Sequence, residues 1–401
     1  MTVPAPRVRR RPRTPGRLFP LLLATALLLP VAFLVIQAHR GIDADRELLE
    51  RERLGVEYIR ALSPVTEALV NAQSGAVTGR PLPREPLDQA IEQAAAVDAR
   101  IGGELSTSER WAGLRAKLEA LPERSLTDPE AAFSAYSEVT DLLLSLHGKV
   151  RETSGLIRDS GADSYFLQDG VGEEMPEAMV AAGRLNDLAV LIEQRPAADR
   201  LQSLSELSTL RFAALQPAGD LVNNLKAAVD TSASADLGGS VLTPFDAYQR
   251  AVEAMGAAAQ PVGRTATVDT ARLSTARGQA QQAAKQLQPV ILDEIDRLLV
   301  ERIDQMDRDG RRVLGAGGVA GLLLIVLAAF GWAYPHGGQG TTPRSTTPGA
   351  GGQPGEPEST GPVGARGEPA TDRPANEQPP ALQPAGQGRE PDRWRPFDAA
   401  R

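Results

Sequence analysis

The chain is 401 residues long, contains no Cys and three His, and carries a formal net charge of −8. Without Cys there are no disulfides, no thiol catalysis and no Cys-ligated metal, and no two of His39, His147 and His336 have a metal-ligand spacing, so neither a metal nor a cofactor is expected. Residues 1–40 hold seven Arg and no acid, whereas 41–312 hold 29 basic and 43 acidic residues; such an acidic central region argues against nucleic acid as a partner.

A basic stretch, 1–17, precedes the first apolar run, 18–38, which is uncharged over 21 positions and matches the thickness of a bilayer's hydrocarbon core. Arg7, Arg9, Arg10, Arg11, Arg13 and Arg17 place the N-terminus on the cytoplasmic side. The run is long for a signal peptide and Ile36-Gln37-Ala38 is a poor cleavage site, so an uncleaved anchor is expected.

From 39 to 312 the apolar residues recur at helical spacing. The first helix runs on from the apolar segment and carries Leu48, Gly55, Tyr58, Ile59, Leu62, Val65, Leu69, Ala72 and Ala76 on one stripe, with a bend expected at Pro64. After the breaker-rich turn Gly79–Pro86, a second helix carries Leu87, Ile91, Ala94, Ile101, Trp111, Leu114, Leu118 and Leu121, with Gly102-Gly103 as a candidate break. Asp128-Pro129 opens a third, acid as cap and proline in the first turn. A fourth begins inside Asp163-Ser-Tyr-Phe-Leu-Gln-Asp169 and ends at Pro196. A fifth carries Leu215, Leu221, Leu225 and Val229. The stretch Asp230–Ser240 reads as a loop, a sixth helix starts near Pro244, and a last one from Ala271 runs into the second apolar segment.

That segment, 313–334, is again uncharged, with Trp332 and Tyr334 where an interfacial aromatic belt would lie. Arg308, Arg311 and Arg312 on its outer side run against the positive-inside bias, but the first helix usually dominates orientation. Gly317 and Gly321 form a GxxxG pair, a spacing that lets two membrane helices approach and predicts packing in a homodimer. The tail, 335–401, has 13 Pro and 12 Gly, a composition that predicts disorder. Its segment Asp392-Arg-Trp-Arg-Pro-Phe397 is a candidate recognition motif. The expected architecture is all-α: an antiparallel, elongated helical bundle, either one long bundle or two stacked four-helix modules, between two transmembrane helices, plus a disordered cytoplasmic tail.

Three segments resemble the extracytoplasmic sensor regions of bacterial methyl-accepting chemotaxis proteins and related sensor kinases and diguanylate cyclases. They are Glu52-Arg-Leu-Gly-Val-Glu-Tyr58 with Leu62-Ser-Pro64, Ile157–Asp169 with Pro176, and Leu292–Ile303. The first helix departs at its end, Gln73-Ser74-Gly75, where such regions carry His-Arg-Gly. The second departs at Asp159-Ser160, where they carry Asp-Pro. The resemblance covers about residues 18–334 and implies ligand sensing in a helical bundle, also similar to the helical bimodular sensors. Past 334 the chain departs from such receptors, which continue into a HAMP domain and an output domain.

No recurrent active-site arrangement stands out, so no enzyme activity is expected. Asp163, Ser164, Tyr165 and Asp169, with Arg158 nearby, are the foremost polar cluster. Read structurally, Asp163 caps the fourth helix and an aromatic fills the bundle end. Read functionally, Tyr165, Asp163 and Arg158 line a pocket for a small ligand between helices, with Tyr58 and Arg60 as further candidates. Two functions follow: a membrane-anchored sensor signalling through a cytoplasmic partner, or a structural or scaffolding protein of the cell envelope built on a sensor scaffold.

Overall fold

The computed structural model describes residues 19–333 apart from 81, 122–127, 158–161, 197–198, 232–234 and 262–267. The expectations of a basic cytoplasmic N-terminus and a disordered tail therefore lie outside the described residues, as does Arg158. Regular structure among the described residues is helical, with no strand. In chain order the helices are α1 (Phe19–Val77), α2 (Glu85–Val97), α3 (Ser108–Ala120), α4 (Pro129–Ser154), α5 (Ala162–Asp169), α6 (Met175–Gln194), α7 (Arg200–Thr231), α8 (Ala235–Ala258) and α9 (Thr270–Ala333). Short π-helical turns, Asp98–Gly102 and Gly170–Glu174, follow α2 and α5.

Both α1 and α9 contain stretches long and apolar enough to cross a membrane, with mean hydropathy 1.5 and 1.6. Leu22, Leu29, Phe33 and Leu34 on α1 and Leu322, Ile325, Leu327 and Phe330 on α9 are exposed. Each helix then continues without a break into the packed part of the molecule. Between them the contacts step in opposite directions along the two helices. A Cβ at Gly317 would meet Val35, and one at Gly310 would meet Ile42. Arg46 pairs with Asp307 at 3.3 Å, Arg53 with Asp296 at 2.7 Å, Arg60 with Asp293 at 2.7 Å and Lys285 with Glu67 at 3.0 Å. Arg277 Nη2 donates to Asn71 Oδ1 at 2.9 Å. The two helices are thus antiparallel neighbours over more than nine turns. Surface ion pairs of this kind contribute at most about 1 kcal/mol each. The apolar core beside them contributes more, because Ile59, Leu62, Leu69, Leu287, Ile291, Ile295 and Leu299 are fully buried there.

Of the predicted stripe of the first helix, Gly55, Tyr58, Ile59, Leu62, Val65 and Leu69 are buried and Leu48, Ala72 and Ala76 half-buried, and α1 passes through Pro64 without ending. The second predicted helix is divided at Gly102-Gly103 into α2 and α3. The Asp128 carboxylate caps α4 by accepting from Glu130 N and Ala131 N, and Gly155 ends that helix at φ 91°, a left-handed conformation that suits glycine. Two expectations need correction. The fourth predicted helix is divided, because the π-turn separates α5 from α6. The loop expected over Asp230–Ser240 is largely helix, since α7 reaches Thr231 and α8 begins at Ala235. Pro244 therefore lies inside α8 rather than at its start. Val241, Phe245 and Tyr248 are buried around it, and that packing offsets the backbone bond proline cannot make.

Buried apolar residues form two clusters. The larger draws on α1 to α9; the smaller joins Leu185, Ile192, Leu207, Met255, Leu273 and their neighbours on α6, α7, α8 and α9.

Candidate functional site

The sequence Gly170-Val-Gly-Glu-Glu174 is the reason α5 does not run straight into α6. A Cβ at residue 172 would lie 2.7 Å from Arg151 Cδ, and one at residue 170 would lie 2.8 Å from Leu221 Cδ1. Glycine at both positions lets α4 and α7 close on this turn. A π-turn widens the helix by one residue, and such turns recur at functional sites.

The close approach sets a cation among acids. Arg151 Nη2 donates to Asp169 Oδ1 at 2.7 Å, and Nη1 donates to Glu173 Oε2. From α7, Asn224 Nδ2 donates to Asp169 Oδ2 at 3.1 Å and to Glu174 Oε1 at 2.8 Å. The other Glu174 oxygen is buried with no hydrogen-bond partner. Burial first, and then the Asp169 charge, push the Glu174 carboxyl up to about 7. On α4, His147 is buried with Nε2 3.3 Å from Thr66 Oγ1. Burial, then the neighbouring Arg151 charge, push it down to about 4, so it is neutral near pH 7.

Helix α5 is held on two further sides. Arg302 Nη2 of α9 donates to the buried Ser164 Oγ at 2.6 Å. Gln168 Nε2 lies 3.5 Å from Glu52 Oε2 of α1. The segment Ser164–Glu174 is thus in contact with both of the helices that carry the long apolar stretches.

The sequence-predicted residues fare differently. Tyr165 is 39% exposed and meets Phe166 edge to face, centroids 5.6 Å apart. Helix α5 opens at Ala162, so Asp163 sits inside its first turn rather than at the preceding cap position; its side chain is outside the described part of the molecule. An acid there still complements the positive end of the helix dipole. Tyr58 is fully buried and donates to Asp98 Oδ1 at 2.7 Å, and Thr107 Oγ1 donates to the same oxygen at 3.2 Å. Burial and that carboxylate raise the phenol well above its usual range, so Tyr58 ties the Asp98–Gly102 turn to α1. Arg60 is occupied by Asp293. Tyr58 and Arg60 therefore have partners of their own, apart from the group around Arg151. Gly317 packs on Val35 of the same chain, while a Cβ at Gly321 would meet nothing within 4 Å.

Sequence alone does not single out Arg151, Glu174, Asn224 and Arg302. Gly170-Val-Gly172 before a pair of acids is the available signal, since two glycines so close inside a helical stretch call for a packing reason. The group has no nucleophile-and-base pair; it can hold a proton or a polar ligand. Among the described residues no three His, Asp or Glu are grouped as metal ligands. Comparison with models of known protein families, with curated proteins and with solved structures finds no match to this chain.

Proposed function

We propose that this chain is a membrane-anchored sensor-like protein, with residues 39–312 outside the cytoplasm and with signalling through a cytoplasmic partner. The observation that supports this reading most is the continuity of α1 and α9. Each joins an apolar stretch to the packed helices, and the two run antiparallel with matched contacts from Val35–Gly317 to Asn71–Arg277. A ligand that moved α5 or the π-turn would act on α9 through Ser164–Arg302 and on α1 through Gln168–Glu52. Helix displacements of about 1–2 Å are an established form of such switching.

Two experiments test the reading. The chain has no Cys, so single cysteines report topology cleanly. Gln202→Cys should react with a membrane-impermeant maleimide in intact cells and Ser345→Cys should not; the reverse pattern would overturn the orientation. Thermal unfolding of the purified full chain, screened against a broad set of small polar molecules, should show a saturable rise for a specific compound class. A flat response across the set would favour a structural role in the envelope.

A further inference from the structure

One to two turns beyond the π-turn along α6, a small cavity lies between α6, α7, α8 and α9. Its walls are mostly methyl groups, from Ala178, Ala182, Ala218, Ala280 and Ala284. The cavity volume is about 20 Å³, the scale of one water molecule or small ion. Three polar side chains line it: Tyr248, Arg277 and Gln281.

All three bring donors that lack acceptors. Gln281 Nε2 is buried without a partner. Tyr248 is 3% exposed, and its hydroxyl makes no hydrogen bond among the described residues. Arg277 is 9% exposed; Nη2 donates to Asn71 Oδ1 at 2.9 Å, and the other guanidinium nitrogens have no acceptor among the described residues. The acid that acts on it, Asp187, makes no direct ion pair with it. Asp187 instead accepts from Gln73 Nε2 at 3.0 Å and from Asn186 Nδ2 at 3.1 Å. A guanidinium donates and cannot accept, and a buried cation is costly without an anion in contact. A water molecule would use its two lone pairs but find few acceptors among alanine methyls for its own protons. A monovalent anion a little larger than water would instead accept from these side chains and set a negative charge in contact with the guanidinium.

We propose that this cavity is a binding site for a halide-sized monovalent anion, chloride in a physiological medium, held by Arg277, Gln281 and Tyr248. Bound there, the ion bridges α8 to α9. Asp187 and Glu174 are the acids whose charges reach the site, through Arg277 and Tyr248 respectively, and both oppose the binding of an anion there. The proposal does not depend on the sensor reading.

The test is thermal unfolding of the purified full chain in detergent, with sodium gluconate replaced stepwise by chloride or bromide at constant ionic strength. A saturable rise in Tm of about 2 °C or more is expected for both halides. Arg277→Gln should abolish the rise. So should Ala284→Val, which fills the cavity and leaves Arg277 in place, and this variant carries the test should Arg277→Gln not fold. No rise in the wild type, or an equal rise in wild type and variants, would overturn the site and leave the cavity to water.

Discussion

Arg151 stands between two groups that titrate in unusual ranges: His147, four residues earlier on α4, and Glu174 across the π-turn. Their effects on stability have opposite signs. His147 is held down at about 4 in the folded chain against about 6.5 when unfolded. Its contribution is complete above pH 6.5 and is lost as pH falls towards 4, because the unfolded chain takes up the proton first. Glu174 is raised from 4.5 to about 7. Its carboxyl favours the folded chain below pH 4.5, and that contribution is lost as pH rises through 7. The two shifts are similar in size and opposite in sign, so between pH 4.5 and 6.5 the two slopes largely offset each other. Glu174→Gln should unmask the histidine, giving a Tm that falls as pH drops from 6.5 to 4.5 more steeply than in the wild type. His147→Gln should leave a Tm that falls as pH rises from 4.5 to 7. Parallel profiles for wild type and both variants would show that neither group titrates as its surroundings imply.

Among the elements, the π-turn Gly170–Glu174 has the most specific packing requirement. Gly172→Ala would set a methyl against the middle of the Arg151 side chain, where a Cβ comes within 2.7 Å of Cδ and 2.9 Å of Cγ. Arg151 must then shift away from Asp169 and Glu173, which should destabilise the chain by about 1–3 kcal/mol in denaturant unfolding. Gly148→Ala on α4 meets nothing within 4 Å and serves as the control that should be neutral or slightly stabilising. The contrast also explains which features are legible in the sequence. Asp128-Pro129 and Gly102-Gly103 act within a few residues of themselves, so the start of α4 and the break before α3 can be read directly. The start of α8 cannot, because Gly238-Gly239 and Pro244 favour a loop locally, and the helix is retained by long-range burial of Phe245 and Tyr248. Likewise the partner of Tyr58 is 40 residues away in Asp98, and Arg302 reaches Ser164 across 138 positions. Helical periodicity carries no information about such pairings, which is why residues around Tyr165 stand out in the sequence and those that anchor its segment do not.

For the whole molecule the decisive relation is that between α1 and α9 within their apolar stretches. The GxxxG spacing alone predicts that Gly317 and Gly321 form the contact face of a homodimer. Here Gly317 is covered by Val35 of the same chain, and Gly321 stays open. The two arrangements are separable, because a Cβ at residue 317 would lie 3.6 Å from Val35 Cβ, within the range of about 3.5–4.5 Å that a disulfide needs. In a chain otherwise free of Cys, the pair Val35→Cys and Gly317→Cys should oxidise within one molecule. Cleavage between the two positions would then leave fragments joined until a reductant is added, and the uncleaved protein would run as a monomer. Gly317→Cys alone should stay uncrosslinked in membranes. If it forms a disulfide-linked dimer instead, and the pair gives no internal link, residue 317 faces a second copy and the antiparallel contacts end before the apolar stretches. If the internal link forms, the register seen at Arg53–Asp296 and Arg60–Asp293 extends unbroken to Val35–Gly317. A displacement of α9 against α1 at one end then has to appear at the other, because neither helix has a break in which to absorb it.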